Sequence, residues 1–294
     1  MNEDVLIKVI VPVSMFAIMF SMGLTLTRKD FQRIFIFPKA IFIGLIVQLL
    51  VSPALGFMLA YAFDLPVMMA VGLVAVAACP GGSTSNVIAH IGKGDTALSI
   101  TLTATATLAT LFTLPIWINF ALIFFGKGDT SIEMPILSTA IQLGLFTVLP
   151  IAIGMLARNT HPAWLKKEPI ITKVAVTTML AAFALIMLLD QNNTIGQAQQ
   201  VLIPTILFVV FVAVLGFLIP KLSGLSAKSS ATIAVEICLK NLLLSLFLAS
   251  NSLNSLDAVL PTTVALASTM PMAIIIMVMF GIFNKRNHQA AVIS

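Results

Sequence analysis

The chain has 294 residues, of which 59% are hydrophobic and 9% charged, with a mean hydropathy of +1.09. Soluble domains carry about 25% charged residues, so water cannot cover this chain and lipid is its expected solvent. The formal net charge of +5 reads as loop charge between membrane spans, not as a nucleic-acid surface.

At about 20 residues per crossing, the length allows roughly 8 to 11 spanning helices. No hydrophilic stretch is long enough for a soluble unit, so a single transmembrane domain is expected over residues 1–294. The first predicted span covers 5–26. Asn2-Glu3-Asp4 precedes it instead of a basic region, and its apolar run is too long for a signal peptide, so it reads as a retained span. Further spans are predicted at 35–62, 66–91, 95–125, 132–157, 171–189, 201–220, 229–250 and 257–283. Short breaks such as Asp64-Leu65-Pro66, Gly126-Lys127-Gly128-Asp129 and Gln191-Asn192-Asn193 separate them. Strand-type alternation is missing, which disfavours a β-barrel. The expected fold class is an all-α polytopic membrane protein with nine transmembrane helices.

Basic residues set the orientation. With the N-terminus outside, nine crossings leave Arg28, Lys29, Arg33, Lys39, Lys93, Arg158, Lys166, Lys167, Lys173, Lys221, Lys228, Lys285 and Arg286 inside. Lys8 and Lys127 fall outside and Lys240 lies within a span, so 13 of the 16 Lys+Arg are inside. This is a strong positive-inside pattern, and an eight-span count scrambles it.

Two spans are anomalous. The first contains Cys79-Pro80-Gly81-Gly82-Ser83-Thr84-Ser85-Asn86. Pro80 removes a helix hydrogen bond, two glycines follow, and four polar residues then stand at bilayer depth. An unwound stretch is expected, tolerated only where it is buried or lines a cavity. The alternative is a Pro-Gly kink without a ligand. The second contains Glu236-Ile237-Cys238-Leu239-Lys240-Asn241, and Glu236 alone of the 11 acidic residues is well inside a span. A carboxylate there costs at least ~2.5 kcal/mol, so it faces a partner or a cavity. Two readings stand: a Glu236–Lys240 ion pair at i, i+4 that holds the bundle together, or a cation site. Cys79 and Cys238 both lie in apolar segments, where buried free cysteine is the expectation.

Each anomalous span precedes a hydroxyl-rich span containing Pro. One carries Ser99, Thr101, Thr103, Thr105, Thr107, Thr110 and Pro115, the other Thr262, Thr263, Ser268, Thr269 and Pro271. Such hydroxyls also serve as helix-packing glue. Paired broken spans of opposite direction in two halves nevertheless point to the midplane site of a transporter, with freed carbonyls for a cation and half-helix N-termini for an anion.

The runs Cys79–Asn86 and Glu236–Asn241 resemble the two crossover motifs of the bile acid:sodium symporter superfamily. Met22-Gly23-Leu24-Thr25-Leu26 fits as well, and so does Gln48, 38 residues before Asn86. The resemblance covers nearly the whole chain. It implies a panel of the first, fifth and sixth spans (5–26, 132–157, 171–189) and a core of the other six, the third and eighth crossing. It also implies that the chain starts at the second span of ten-span bacterial members, as mammalian bile acid carriers do. Carried over, the first sodium site is Ser85, Asn86, Ser99, Thr103 and Glu236. The second is Gln48, Glu236 and the carbonyls of Ile237 and Leu239, where the family pattern has Gln at the position of Lys240. An ammonium has three donors and no acceptor, so Lys240 is expected to take the place of the second sodium, paired with Glu236.

The function implied is sodium-coupled symport of an organic anion by alternating access at a bacterial inner membrane, the C-terminus cytoplasmic. One Na⁺ is expected, with the second site vestigial or filled by Lys240. Ser83, Thr84 and Asn241 are the expected substrate contacts. The substrate is bile-acid-like or a small carboxylate such as pantoate or a keto acid. The alternative of the same fold is a proton-coupled or facilitative carrier. An intramembrane enzyme is disfavoured, since His90, His161 and His288 stand at or beyond span ends. A channel is disfavoured for want of a continuous polar stripe. The lipid bilayer and the anion are the expected partners, with no nucleic acid and no obligate protein partner.

Overall fold

A computed structural model describes residues 5–126, 136–189 and 194–293, with the helical backbone alone at 136, 189, 194 and 195 and over 282–293. Asn2-Glu3-Asp4, the Lys127–Asp129 break, the first residues of the 132–157 span and Gln191-Asn192-Asn193 lie outside the described residues. So do the side chains of Lys285, Arg286 and His288.

The protein is an all-α polytopic membrane protein. In lipid the backbone must satisfy its own polar groups, and an apolar sequence of this composition does so as helix. Among the described residues seven helices are long and apolar enough to cross a bilayer. They are α1 (Leu6–Thr25), α2 (Pro38–Ala62), α5 (Thr96–Phe125), α6 (Leu137–Thr160), α7 (Pro162–Leu188), α8 (Gly196–Leu222) and α11 (Asp257–Gly281). The spans expected at 66–91 and 229–250 are each two shorter helices. The first is α3 (Val67–Ala78) and α4 (Ser83–Ile91). The second is α9 (Ala227–Cys238) and α10 (Leu242–Ser252).

Two expected boundaries move. The sixth span begins as a tight turn at Pro162, and Glu168 and Pro169 open its α-helical part. Pro is tolerated there because the first helical amides have no intrahelical partner. The helix that carries the seventh span extends back from Gly196 to Thr194, since the polar Gln197, Gln199 and Gln200 continue it instead of ending it.

Helix α1 packs along α6 and α7, and α8 packs along α9 and α11. Small residues permit the close approaches. A side chain at Gly23 would overlap the Ile151 backbone, and one at Gly72 would overlap Ala258. One buried cluster joins Met15, Met19, Met179 and Phe183 to Phe247. A second joins Leu73, Leu102, Phe208 and Ile237. Large apolar side chains such as Phe35, Phe42, Phe112 and Leu188 are exposed, which suits a lipid-facing surface. The broken helices lie between these layers, α3 against α2 and α5, and α10 against α1 and α11.

Candidate cation site and adjoining cavity

The first break follows from Pro80. Helix α3 stops at Ala78, Cys79 turns to extended backbone (φ −60°, ψ 145°), and α4 restarts at Ser83. The second break contains neither Pro nor Gly. Helix α9 stops at Cys238, and Asn241 opens α10 by accepting from the Leu244 amide at 3.1 Å. Each break satisfies the other. The Gly82 amide donates to the Leu239 carbonyl at 2.8 Å and the Asn241 amide to the Pro80 carbonyl at 2.7 Å, across an antiparallel bridge between Gly81 and Lys240. Backbone groups freed at depth are thereby paired without water. Gly81 admits no side chain, because a Cβ there would overlap the Glu236 carboxylate.

Glu236 is 1% exposed. Its Oε2 accepts from Ser85 Oγ at 2.5 Å and from Ser99 Oγ at 2.8 Å, and its Oε1 accepts from Thr103 Oγ1. Asn86 Oδ1 stands 2.8 Å from Ser99 Oγ and 3.3 Å from Thr103 Oγ1. Ser85 Oγ also faces the Gly82 carbonyl at 2.6 Å, and Thr103 Oγ1 the Ser99 carbonyl at 3.0 Å. Five residues from α4, α5 and α9 thus converge. Their three hydroxyl protons face five acceptor oxygens: both of Glu236, Asn86 Oδ1, and the carbonyls of Gly82 and Ser99. Each hydroxyl has one proton to give, whereas the ionised Glu236 carboxylate and Asn86 Oδ1 alone offer about six lone-pair positions, so the cluster has more accepting capacity than hydroxyl protons. Hard cations take oxygen ligands, and this all-oxygen set with one carboxylate fits Na⁺.

The other threonines of α5 do not join the cluster. Thr101, Thr105 and Thr107 donate to carbonyls four residues back, on Ala97, Thr101 and Thr103. Of the α5 hydroxyls, Ser99 and Thr103 are the two that face Glu236.

The pairing expected of Lys240 with Glu236 is not formed. The ammonium donates to the Ala77 carbonyl at 2.9 Å, and the pair makes no ion contact; among the described residues the salt bridge is Arg33–Asp30. The reason is local. A same-face i, i+4 relation needs a continuous helix, and α9 ends at Cys238. Gln48 sits in a π-helical turn (Val47–Val51). Its Nε2 donates to the Cys79 carbonyl at 2.5 Å, while its buried Oε1 has no hydrogen-bond partner. Ile237 is buried in the last turn of α9, and the Leu239 carbonyl already accepts from Gly82. Sequence reasoning missed Ser52, whose hydroxyl meets the same Ala77 carbonyl at 2.8 Å. Its position four residues after Gln48, on one helix face, was the available signal.

A cavity of about 240 Å³ adjoins the crossing. Ser83, Thr84 and Asn241 all line it, with Lys240 beside them and Met19 and Met22 of α1 opposite. Asn241 has its carboxamide oxygen engaged in the α10 cap, which leaves its N–H donors for the cavity. Ser83 and Thr84 stand at the N-terminus of α4, exposed toward the same space. A wall of N–H and O–H donors at a half-helix N-terminus favours an anion.

The family model described as Sodium Bile acid symporter family matches residues 12–200, from α1 into α8. A probable sodium/metabolite cotransporter BASS2, chloroplastic, of Oryza sativa subsp. japonica is 31% identical, over 84% of this chain and 58% of that protein. An uncharacterized sodium-dependent transporter YocS of Bacillus subtilis (strain 168) is 29% identical, over 82% of this chain and 74% of its own. The ileal sodium/bile acid cotransporter of Homo sapiens is 27% identical, over 81% of this chain and 68% of its own. The chain therefore spans less than two thirds of the rice relative and somewhat more of the other two. The family and these relatives are transporters and not enzymes. The chain belongs to the sodium bile acid symporter family.

Proposed function

We propose that this protein is a secondary active carrier that couples Na⁺ to a small organic anion by alternating access. In this reading α3–α4 and α9–α10 each complete a crossing, so that the chain crosses nine times. The N-terminus is outside and the basic loops face the cytoplasm of a bacterial inner membrane. Helices α1, α6 and α7 form the panel, and the other helices form the core. One Na⁺ binds at Ser85, Asn86, Ser99, Thr103 and Glu236. The Lys240 ammonium stands in the place of a second cation beside Gln48 and the Ala77 carbonyl.

The anion occupies the cavity between panel and core, its carboxylate toward Ser83, Thr84 and Asn241. At about 240 Å³ the cavity is smaller than the roughly 300–1,000 Å³ of sites for drug-sized ligands. That size favours a pantoate or a keto acid over a bile acid. Na⁺ binding ties α4 and α5 to α9 and so orders the crossing that forms the cavity floor. Rocking of core against panel then exposes the loaded site to the other side.

The observation that carries this reading is the surplus of acceptor oxygens over hydroxyl protons around Glu236. Its test is thermal unfolding of the purified protein in NaCl against KCl at equal ionic strength, with and without a panel of small carboxylates. A ligand bound at 100 times its Kd adds about 2.7 kcal/mol, so NaCl should raise the midpoint by several degrees, and a transported carboxylate further. Glu236→Ala should remove the Na⁺ effect. A wild-type midpoint indifferent to Na⁺ would refute the coupling.

A further inference from the structure

Helix α3 ends at Ala78 and its last intrahelical bond runs from the Cys79 amide to the Ala75 carbonyl, so the carbonyls beyond Ala75 lack an intrahelical amide. Ala77 O accepts instead from Ser52 Oγ at 2.8 Å and from Lys240 Nζ at 2.9 Å, and Cys79 O accepts from Gln48 Nε2 at 2.5 Å. This is the negative end of a half-helix, where a cation is favoured. The cation there is part of the chain. Unlike a bound Na⁺, it cannot be released on either side.

Among the described residues the buried charged side chains are Asp30, Glu236 and Lys240. Asp30 is paired with Arg33 at 2.8 Å, between α1 and α2. The fixed charge at the crossing is therefore that of Glu236 and Lys240, and it sums to zero. We infer that the carrier is electroneutral: the Lys240 ammonium on the Ala77 carbonyl fills the place of a second cation, so one Na⁺ moves with one univalent anion and the cargo carries no net charge across the membrane. The inference rests on the carrier reading above and adds to it the charge moved per cycle. The Na⁺ gradient alone then drives accumulation, and the membrane potential contributes nothing. The substrate class follows: a monocarboxylate restores neutrality in the loaded form, whereas a dicarboxylate leaves a net negative charge in the low dielectric.

The test uses the full chain in proteoliposomes under an inward Na⁺ gradient, with radiolabelled pantoate and pyruvate as probes. A K⁺ gradient with valinomycin sets the potential to zero or to 100 mV, inside negative. One positive charge per cycle corresponds to about a 50-fold change in accumulation over 100 mV. The expected result is Na⁺-dependent accumulation that differs less than twofold between the two potentials, with a Na⁺ Hill coefficient near one. Lys240→Gln removes the ammonium and opens its place to a second Na⁺, so the Na⁺ Hill coefficient should move toward two and accumulation should rise severalfold with the potential. Lys240→Arg keeps the charge and should leave it indifferent. Na⁺-dependent uptake that climbs tenfold or more with inside-negative potential in the wild type would overturn electroneutrality and leave the carrier reading intact. Absence of Na⁺-dependent uptake of either probe would overturn both.

Discussion

Ser85 Oγ donates to Glu236 Oε2 at 2.5 Å and joins α4 to α9, two half-helices that come from opposite halves of the chain and run past each other at the crossing. The contact ties the carboxylate to the polar N-terminal turn of the helix that also lines the cavity. A cation held by Glu236 therefore also fixes Ser83 and Thr84, one and two residues before Ser85. This is the physical link between the proposed cation site and the proposed anion site.

Glu236→Gln keeps the shape of the side chain and removes its charge. Hydrogen bonds and contacts to a charged group contribute about 1.5–3 kcal/mol, which corresponds to roughly 10- to 100-fold in affinity. The Na⁺ concentration needed for half-maximal thermal stabilisation should rise by that factor. An unchanged half-saturation would mean that the carboxylate is only a structural acceptor for its three hydroxyls.

Ser99→Ala and Thr103→Val each remove one oxygen from the cluster, and each should raise the Na⁺ requirement about tenfold, by the lower end of the same scale. Both hydroxyls face Asn86 Oδ1 and Glu236, so the double variant should lose less than the product of the two. Thr107→Val serves as the control, since that hydroxyl donates to the Thr103 carbonyl at 2.7 Å and not to the cluster. It should leave the Na⁺ requirement within twofold. Equal effects at 99, 103 and 107 in a Na⁺ titration would show that helix packing, not ligation, is being read.

The two adjacent glycines should respond unequally. A Cβ on Gly81 would overlap the Glu236 carboxylate, whereas one on Gly82 would meet the Lys240 carbonyl at 3.4 Å, an ordinary contact. Gly81→Ala should abolish Na⁺-dependent stabilisation by displacing Glu236, and Gly82→Ala should keep most of it. Parallel melts in NaCl and KCl separate this from general unfolding, because only Gly81→Ala should lose the difference between the salts. A Gly81→Ala protein with a wild-type Na⁺ shift would contradict the geometry.

These outcomes bear on what the sequence made visible. The first break was legible because Pro80 lacks an amide and two glycines follow it. The second carries no such punctuation, and Leu239-Lys240-Asn241 stood out only as charge and amide in an apolar run. Reading that run as continuous helix put Lys240 on the face of Glu236. The break turns it instead toward Ala77, and that contact comes from another helix that spacing alone does not locate. The threonines of α5 were equally prominent by composition. Which of them back-bond to their own helix and which face Glu236 depends on where α9 lies, a tertiary fact. The π-helical turn that carries Gln48 has no sequence signature here, although such turns often mark functional sites.

The last prediction concerns the end of the molecule away from the cavity. The cavity is lined by Ile18, Met19 and Met22 in the second half of α1. At the other end of α1, Leu6–Ile10 packs against the Leu248–Ser252 turn of α10. There Ser252 Oγ donates to Gln142 Oε1 of α6 at 2.8 Å, and Phe146 lies 5.0 Å from Phe247 between ring centroids. These contacts join α6 of the proposed panel to α10 of the proposed core on one side, while the cavity lies on the other. Alternating access requires them to part once per cycle. Gln142→Cys together with Ser252→Cys, bridged by a short bis-methanethiosulfonate, should reduce uptake at least tenfold, with recovery on reduction. The native Cys79 and Cys238 are free and buried, so the reagent should leave the parent protein unaffected. The Na⁺-dependent thermal shift should survive bridging, because Glu236 and its oxygens are not on that seam. Full transport in the bridged protein would show that panel and core do not separate there.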